Sequence, residues 1–386
     1  MEINNISLKA KEDCSGCSLC VNICPRRAIK MESDALGFFY PKVNPIDCVN
    51  CGICFKRCPF NFPQKDNSFN QQFLGLQHKN SEELLKSQSG AAFVILSDEI
   101  LKRDGVVYGA GFSNDYYVLH KRATTVSERD DLRYSKYTQS DINTSLISIV
   151  RDLESGIDVL FTGTPCQVAA VNAFVPQHLS SRLYLVDLIC HGVPSPFIWR
   201  DYILYIKRKY GDIRVARFRD KRLGWNTHKE TFLCDKERTF VTFKTLFYRN
   251  NCLRDSCYNC HFASTKRISD LTIGDFWGWE KKFKQEQIFI DNKGVSLLLV
   301  NTQKGKTLFD DAKYGHINFE VSKDDCLQPN LQSPSSYNPA RKNFEEDYKT
   351  KGFIYVAKIY SDLGFKTQLK YKVRPILSML RKFLQI

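Results

Sequence analysis

The chain has 386 residues, 43% hydrophobic and 25% charged, which is long and apolar enough for two or three domains with buried cores. No run of about eighteen apolar residues occurs, which excludes a transmembrane helix, and the opening "MEINNISLKAKEDC" has no signal-peptide core. Fifteen cysteines without a secretion signal argue against a disulfide framework; they read as metal ligands or redox groups, with the cytoplasm as the expected compartment.

The formal charge of +14 counts every thiol as neutral. A cubane held by four thiolates carries about two negative charges, so two or three of them, with other anionic cofactors, offset most of the excess. From Tyr348 to Ile386 nine Lys/Arg face one acid, Asp362, leaving 9 − 1 = +8 in the tail. The basic balance is therefore poor ground for a nucleic-acid partner, and none is expected.

The first sixty residues carry "CSGCSLCVNICP" (Cys14–Pro25) and "CVNCGICFKRCP" (Cys48–Pro59). Both follow C-x2-C-x2-C-x3-C-P, the spacing by which a tight turn wraps a 4Fe-4S cubane; the fourth Cys of each run ligates the other cluster. Cys14, Cys17, Cys20 and Cys58 are thus expected to hold one cluster, and Cys48, Cys51, Cys54 and Cys24 the second. Pro25 and Pro59 stop each turn from continuing as helix. The segment "FFYPKVNPIDC" between them should supply two short strands and aromatic packing. Two zinc knuckles are the alternative, but zinc favours CxxC pairs separated by a longer loop.

After the polar stretch "PFNFPQKDNSFNQQ" the pattern turns to α/β. "AAFVILSDEILKRDG" has helical spacing and ends at Gly105 as its C′ residue, and "VVYGAGF" and "YYVLHKRA" read as strands. "DINTSLISIVRDLESG" is a helix opening on Asp141 and closing on Gly156. "DVLFTGTP" and "LYLVDLICHG" are near-continuous apolar runs, as expected of strands covered by helices on both faces. Ligands in such folds lie past the carboxyl ends of the strands, where "TGTPCQ" and "CHGVPSP" fall.

Cys166 and Cys190 each follow one of these strands; either alone would read as a small buried hydrophobe. "CLRDSCYNCHF" adds Cys257 and Cys260 as a CxxC, and the four thiols together suffice for a third cubane, or for a zinc site; Cys252 is a substitute ligand. Cys234 and Cys326 have no motif and read as packing residues. "KSQSGAAF" places Ser87, Ser89 and Gly90 before a helix, which suits an anion cradle or plain N-capping. "RYSKYTQSD" carries Ser135, Lys136 and Tyr137 in a turn. "FRDKRLGW" is basic and aromatic: a hold for an anionic or aromatic ligand, or a solvated charge cluster on a hairpin. His191, beside Cys190, is a candidate proton donor, or else a group that hydrogen-bonds the site.

"SQSGAAF", "SKYTQSDI", "LFTGTPCQVAA", "VDLICHGVPSP", "FRDK" with "GW", and "SCYNCHF" followed by "DLTIGDFWG" come in an order that resembles the coenzyme F420 hydrogenase/dehydrogenase beta subunit family. The resemblance runs from Cys14 to about Lys281, and more loosely to Asp325. It implies an α+β ferredoxin-like module with two 4Fe-4S clusters, followed by an α/β FAD-binding domain with a third cluster. It implies FAD contacts from Ser89, Gly90, Ser135, Lys136, Tyr137 and Thr164, with the flavin near Cys166, and a third cluster on Cys166, Cys190, Cys257 and Cys260. Two departures stand out: Ala91 follows Gly90 where the family often has a second glycine, and Tyr134 precedes "SKY" where it often has glycine.

The expected organisation is residues 1–64 ferredoxin-type, 65–80 linker, 81–330 FAD/Fe–S domain and 331–386 basic helical tail. The expected function is an iron–sulfur flavoprotein oxidoreductase passing electrons between clusters, FAD and a small organic substrate or deazaflavin-type coenzyme such as coenzyme F420. The expected partners are a ferredoxin-like electron donor or acceptor, that small-molecule substrate and a partner subunit. The alternatives are a non-catalytic electron-transfer subunit and a zinc-stabilised binding module. In the tail, Ile376, Leu377, Leu380 and Leu384 form one helical face, to lie on a membrane surface, dock a partner or pack on the chain's own domain.

Overall fold

The computed structural model describes residues 5–61, 69–282 and 293–364. Each cysteine run winds through two residues at positive φ before a short helical turn. Gly16 (66°) and Ser18 (59°) lead into Leu19–Ile23; Asn50 (52°) and Gly52 (73°) lead into Ile53–Lys56. Left-handed residues curl the backbone into a concavity lined by N–H groups, a natural seat for an anionic cluster.

Strands β1 (Ile29–Ser33) and β2 (Phe39–Val43) pair antiparallel, from Ile29↔Val43 to Ser33↔Phe39. Only β2 falls in "FFYPKVNPIDC". Its partner lies upstream because the turn forms at Gly37, whose φ of 80° suits glycine, so the strands flank that residue.

The body is built on an eight-stranded mixed sheet of order β13-β3-β12-β11-β7-β6-β4-β5. Its strands are β3 (Gln72–His78), β4 (Val106–Phe112), β5 (Val118–Ala123), β6 (Val159–Gly163), β7 (Leu183–Leu188), β11 (Leu271–Asp275), β12 (Ser296–Val300) and β13 (His316–Glu320). The strands β4, β6, β7 and β11 run parallel; β5, β12, β3 and β13 join antiparallel. Alternation along the strands feeds two cores. Val107, Leu160 and Val186 pack under the helices Ala92–Leu101 and Gln303–Asp311, while Val106, Tyr108, Val159 and Phe161 pack under Asn143–Glu154 and Pro165–Phe174. Both faces are covered, as the apolar runs require.

Residues 72–78 of the expected linker are not linker. They form β3, held between β12 and β13 with Leu74 and Leu76 buried. Gly75 in its middle weakens the strand pattern, yet a side chain there would collide with the Phe319 ring. Residues 65–68 of that linker lie outside the described residues.

The helix "AAFVILSDEIL" closes one residue earlier than expected. Asp104, at φ 55°, is the left-handed C′ residue: its N–H donates to Leu101 O, and that of Gly105 to Ile100 O, a Schellman pair. Gly105 is needed for another reason, since its Cβ would stand 2.8 Å from Asp158 O. The next helix does close on Gly156, at φ 77°.

A second, aromatic core joins the helix Pro196–Tyr210 to the small antiparallel sheet of β8 (Val215–Arg217), β9 (Glu230–Leu233) and β10 (Glu237–Phe240). The helix Arg341–Tyr360 packs on it through Phe344, Tyr348, Phe353 and Val356, so the described part of the tail lies on its own domain. Ile376, Leu377, Leu380 and Leu384 lie outside the described residues. Among the described residues no helix is long and apolar enough to cross a membrane.

Candidate functional site

The N-terminal thiols fall into the two interleaved sets. Cys24, Cys48, Cys51 and Cys54 line one small cavity with Asn5 and Arg26. Burial and then the charges of Cys58 and Cys14 push the Cys17 thiol up to about 12. Burial and then Cys17, Cys14 and Cys58 raise Cys20. Cys20 and Cys54 are buried against Ile6 and Ile29, between the two sets. Cys51 is exposed, so the Cys48 set is the outer one.

A third set converges from far apart in sequence. Cys166 opens the helix after β6, Cys190 follows β7, and Cys257 and Cys260 come from the loop after the helix Thr242–Tyr248; all four line one cavity. Burial first, then Cys257, Cys166 and Cys260, push Cys190 well above the usual thiol range. Burial also lifts Cys257 to about 12 and Cys260 to about 11. Such thiols ionise only against a strong positive charge. Two buried arginines stand nearby: Arg254 opposes the rise at Cys166 and Cys257, and Arg267 that at Cys260. Arg267 reaches Asp187 at 3.4 Å but leaves Nε and Nη2 buried without a partner. Among the described residues no three His, Cys, Asp or Glu are close enough to share a single metal ion, so the thiols converge without meeting at a point. The donors fit an anionic cubane.

Cys252 is not with them. It is wholly buried in the aromatic core beside Trp199 and Phe243, and its carbonyl accepts from Ser195 N at 2.8 Å. Cys234 shares that core, and Cys326 packs with Phe276 and Leu297.

The inner N-terminal set and the third set meet at one ring. Cys58 packs on Phe60 from one side of the sequence, Cys166 and Cys260 from the other. Ser15 and Phe60 also line the third set's cavity.

Beyond it, past the carboxyl ends of β6, β7 and β11, lies a cavity of about 340 Å³. Ser89, Ser135, Lys136, Tyr137 and Thr164 all line it, with Cys190 and His191. Gly90 is not among its lining residues. Its N–H donates to Ser296 Oγ at 2.8 Å, and a Cβ would collide with Leu76 O and Ser296 N, so glycine lets the loop lie against the sheet. Plain N-capping is not what the serines do: Ala91 is the N-cap, at φ 67°, and Ser89 Oγ donates to Val295 O. Gln88 Oε1 is a buried acceptor without a partner, and Gln88 lines the cavity. Size, polar ends and the aromatic rings of Tyr137, Phe247, Tyr248 and Trp277 fit a flavin nucleotide that is partly exposed.

Lys136 donates to Asp131 O at 3.3 Å and to Arg133 O, and burial pulls its ammonium down to about 7. His191 Nε2 lies 2.8 Å from Asn250 Oδ1, while Asn250 Nδ2 donates to Ser336 O at 2.9 Å. That fixes the amide, so Nε2 carries the His191 proton and Nδ1 is an acceptor; burial lowers the ring's pKa and keeps it neutral. A neutral His191 in this tautomer receives a proton at Nδ1 and does not donate one.

The charges of "FRDKRLGW" are not solvated. Arg219, Asp220 and Lys221 are buried, and Arg219 Nη1 meets Asp275 Oδ2 at 2.5 Å. His120 and Gln167 were not singled out by sequence. His120 bonds Ser140 Oγ and Thr162 O, both at 2.8 Å, and Gln167 Nε2 donates to Ser140 O, forming the cavity floor. The signal for Gln167 was the capping box it makes with Thr164; His120 gave none.

Residues 13–62 match the family model described as a 4Fe-4S dicluster domain, and residues 157–324 that of the C terminus of the coenzyme F420 hydrogenase/dehydrogenase beta subunit. No curated protein matches the chain. A chain from the solved F420-reducing [NiFe] hydrogenase complex of Methanosarcina barkeri is 16% identical, with a TM-score of 0.46, covering 78% of this chain and 96% of that one. The likeness is too distant to carry an argument.

Proposed function

Because residues 157–324 belong to the coenzyme F420 hydrogenase/dehydrogenase beta-subunit family and residues 13–62 form a 4Fe-4S dicluster domain, we propose that the chain is an iron–sulfur flavoprotein oxidoreductase. It passes electrons between a ferredoxin-like carrier and a small organic substrate or deazaflavin-type coenzyme. The observation that carries this reading is that Cys190 lines both the cavity of the third thiol set and the larger cavity beside it. A cluster there would border the flavin site directly.

When bound, FAD exchanges electrons in pairs with an organic substrate and singly with iron–sulfur clusters. This chain's residues would do the rest. Lys136 and the N-terminus of the helix Ala92–Leu101 face the diphosphate, and Tyr137 and Phe247 flank the ring. Thr164 and His191 lie between cluster and flavin, with His191 Nδ1 as proton acceptor. The exposed Cys51 end receives the external carrier, and Phe60 separates the inner N-terminal cluster from the third.

Anaerobic reconstitution, with flavin, iron and sulfide counted on one sample, tests the reading. Three cubanes give about twelve irons and twelve sulfides per chain, with one flavin. About eight irons and no flavin would make the chain an electron-transfer subunit serving a partner's active site. Zinc without sulfide would make it a zinc-stabilised module.

A further inference from the structure

Arg254 is a buried cation whose counter-charge is not a side chain. It is wholly buried, and among the described residues no carboxylate lies within salt-bridge distance of it. Its guanidinium is held by neutral acceptors on three segments: Nε donates to Cys14 O at 2.6 Å, Nη1 to Gln139 Oε1 at 3.0 Å and Nη2 to Phe39 O at 2.8 Å. Nη2 also points at Cys14 Sγ, 3.7 Å away. The Tyr40 ring lies 4.2 Å from its central carbon, and Arg254 lines the cavity of Cys166, Cys190, Cys257 and Cys260. Even Gly16, between Cys14 and Cys17, is cut to fit: a Cβ there would stand 2.7 Å from Nη1. Burying an unpaired guanidinium costs several kcal/mol, and a fold keeps one only where an anion offsets it.

We propose that Arg254 is the shared counter-ion of two clusters, the inner N-terminal one on Cys14 and the third one, and a positioning residue for the electron step between them. The second half rests on the reading of a third cluster given above. A cation beside a cluster favours its more negative, reduced form and so raises its potential. By touching both sites, Arg254 raises both and spares the outer Cys48 cluster, which makes the interior a sink for electrons entering at Cys51. The same fork ties the Cys14 loop and β2 to the body, so it fixes the gap the electron crosses.

The test is an EPR-monitored redox titration of the full-length reconstituted chain, wild type against R254Q and R254K, with iron and sulfide counted on each sample. R254Q should lower the midpoint potentials of two of the three clusters and leave the outer one unmoved; R254K, which keeps the charge without the fork, should restore part of the shift. Unmoved potentials in a fully loaded R254Q would overturn the proposal and leave Arg254 a structural tie. If R254Q does not load, Q139E decides: it sets a carboxylate against Nη1 and should lower the same two potentials, and no shift overturns the proposal. A wild type with about eight irons would defeat the third cluster alone, since the shift at the Cys14 cluster would still be read.

Discussion

Lys221 Nζ donates to the main-chain oxygen of Ser89 at 2.5 Å, and to that of Leu84 at 2.7 Å. A buried cation from the "FRDK" segment thus holds the loop that carries Ser87, Gln88 and Ser89 to the cavity. In K221M both carbonyls would lose a charged donor, each worth about 1.5–3 kcal/mol. The expected outcome is a loss of about 2–4 kcal/mol in urea denaturation of the apo chain, with FAD retention falling in parallel. Unchanged stability with unchanged flavin content would show that the loop holds itself.

Removing single thiols should sort the fifteen cysteines by role. C166S or C257S is expected to cost about four irons per chain and leave the other eight, since each set closes on its own ligands. C252S and C326S, at positions packed in apolar cores, should keep the full iron count and lose only stability. Loss of iron in C252S would reopen its place among the ligands.

The N-terminal half of this arrangement was legible because one local spacing carries it: four cysteines within eleven residues can do little besides wrap a cluster. The third set was legible only in outline, since nothing in the letters brings "TGTPCQ" to "CYNC"; the ordering of β6, β7 and β11 does that. β3 was lost to a polar linker because Gly75 breaks its alternation, although that glycine admits Phe319. Arg254, inside "CLRDSC", was invisible for a similar reason. Its partners Cys14, Phe39 and Gln139 are 240, 215 and 115 residues away. A basic residue in a polar loop reads as solvated until the tertiary fold buries it.

Ala91 and Tyr134 both adopt φ of 67° while lining the cavity. A side chain there costs about 1–2 kcal/mol relative to glycine, against which glycine gives back roughly 0.4–1 kcal/mol through the unfolded chain. A91G should therefore raise stability by about 0.5–1 kcal/mol in chemical denaturation. Y134G gives up the contact of its ring with Arg217, 5.4 Å away, so its stability should change little. Its cavity is wider, however, and stopped-flow mixing should show FAD entering and leaving faster. Slower exchange would mean that the Tyr134 ring forms part of the flavin seat.

The Lys136 ammonium, pulled down to about 7 by burial against the opposing charge of Asp131, should make flavin binding depend on pH near neutrality. The sign follows from which form holds the diphosphate. Below about 7 Lys136 is charged in the empty cavity and binds the anion at no protonation cost. Above it, binding must first take up a proton, because the bound anion raises the lysine's pKa. FAD affinity is thus expected to be flat below pH 7 and to fall by up to about tenfold per pH unit above it, until the bound-state pKa is passed. In K136M the affinity should be lower at pH 6.5 and the slope above pH 7 absent. Fluorescence titration of FAD at constant ionic strength from pH 6.5 to 8.5 reads both. A slope that persists in K136M would assign the proton to another group and remove Lys136 from the diphosphate end.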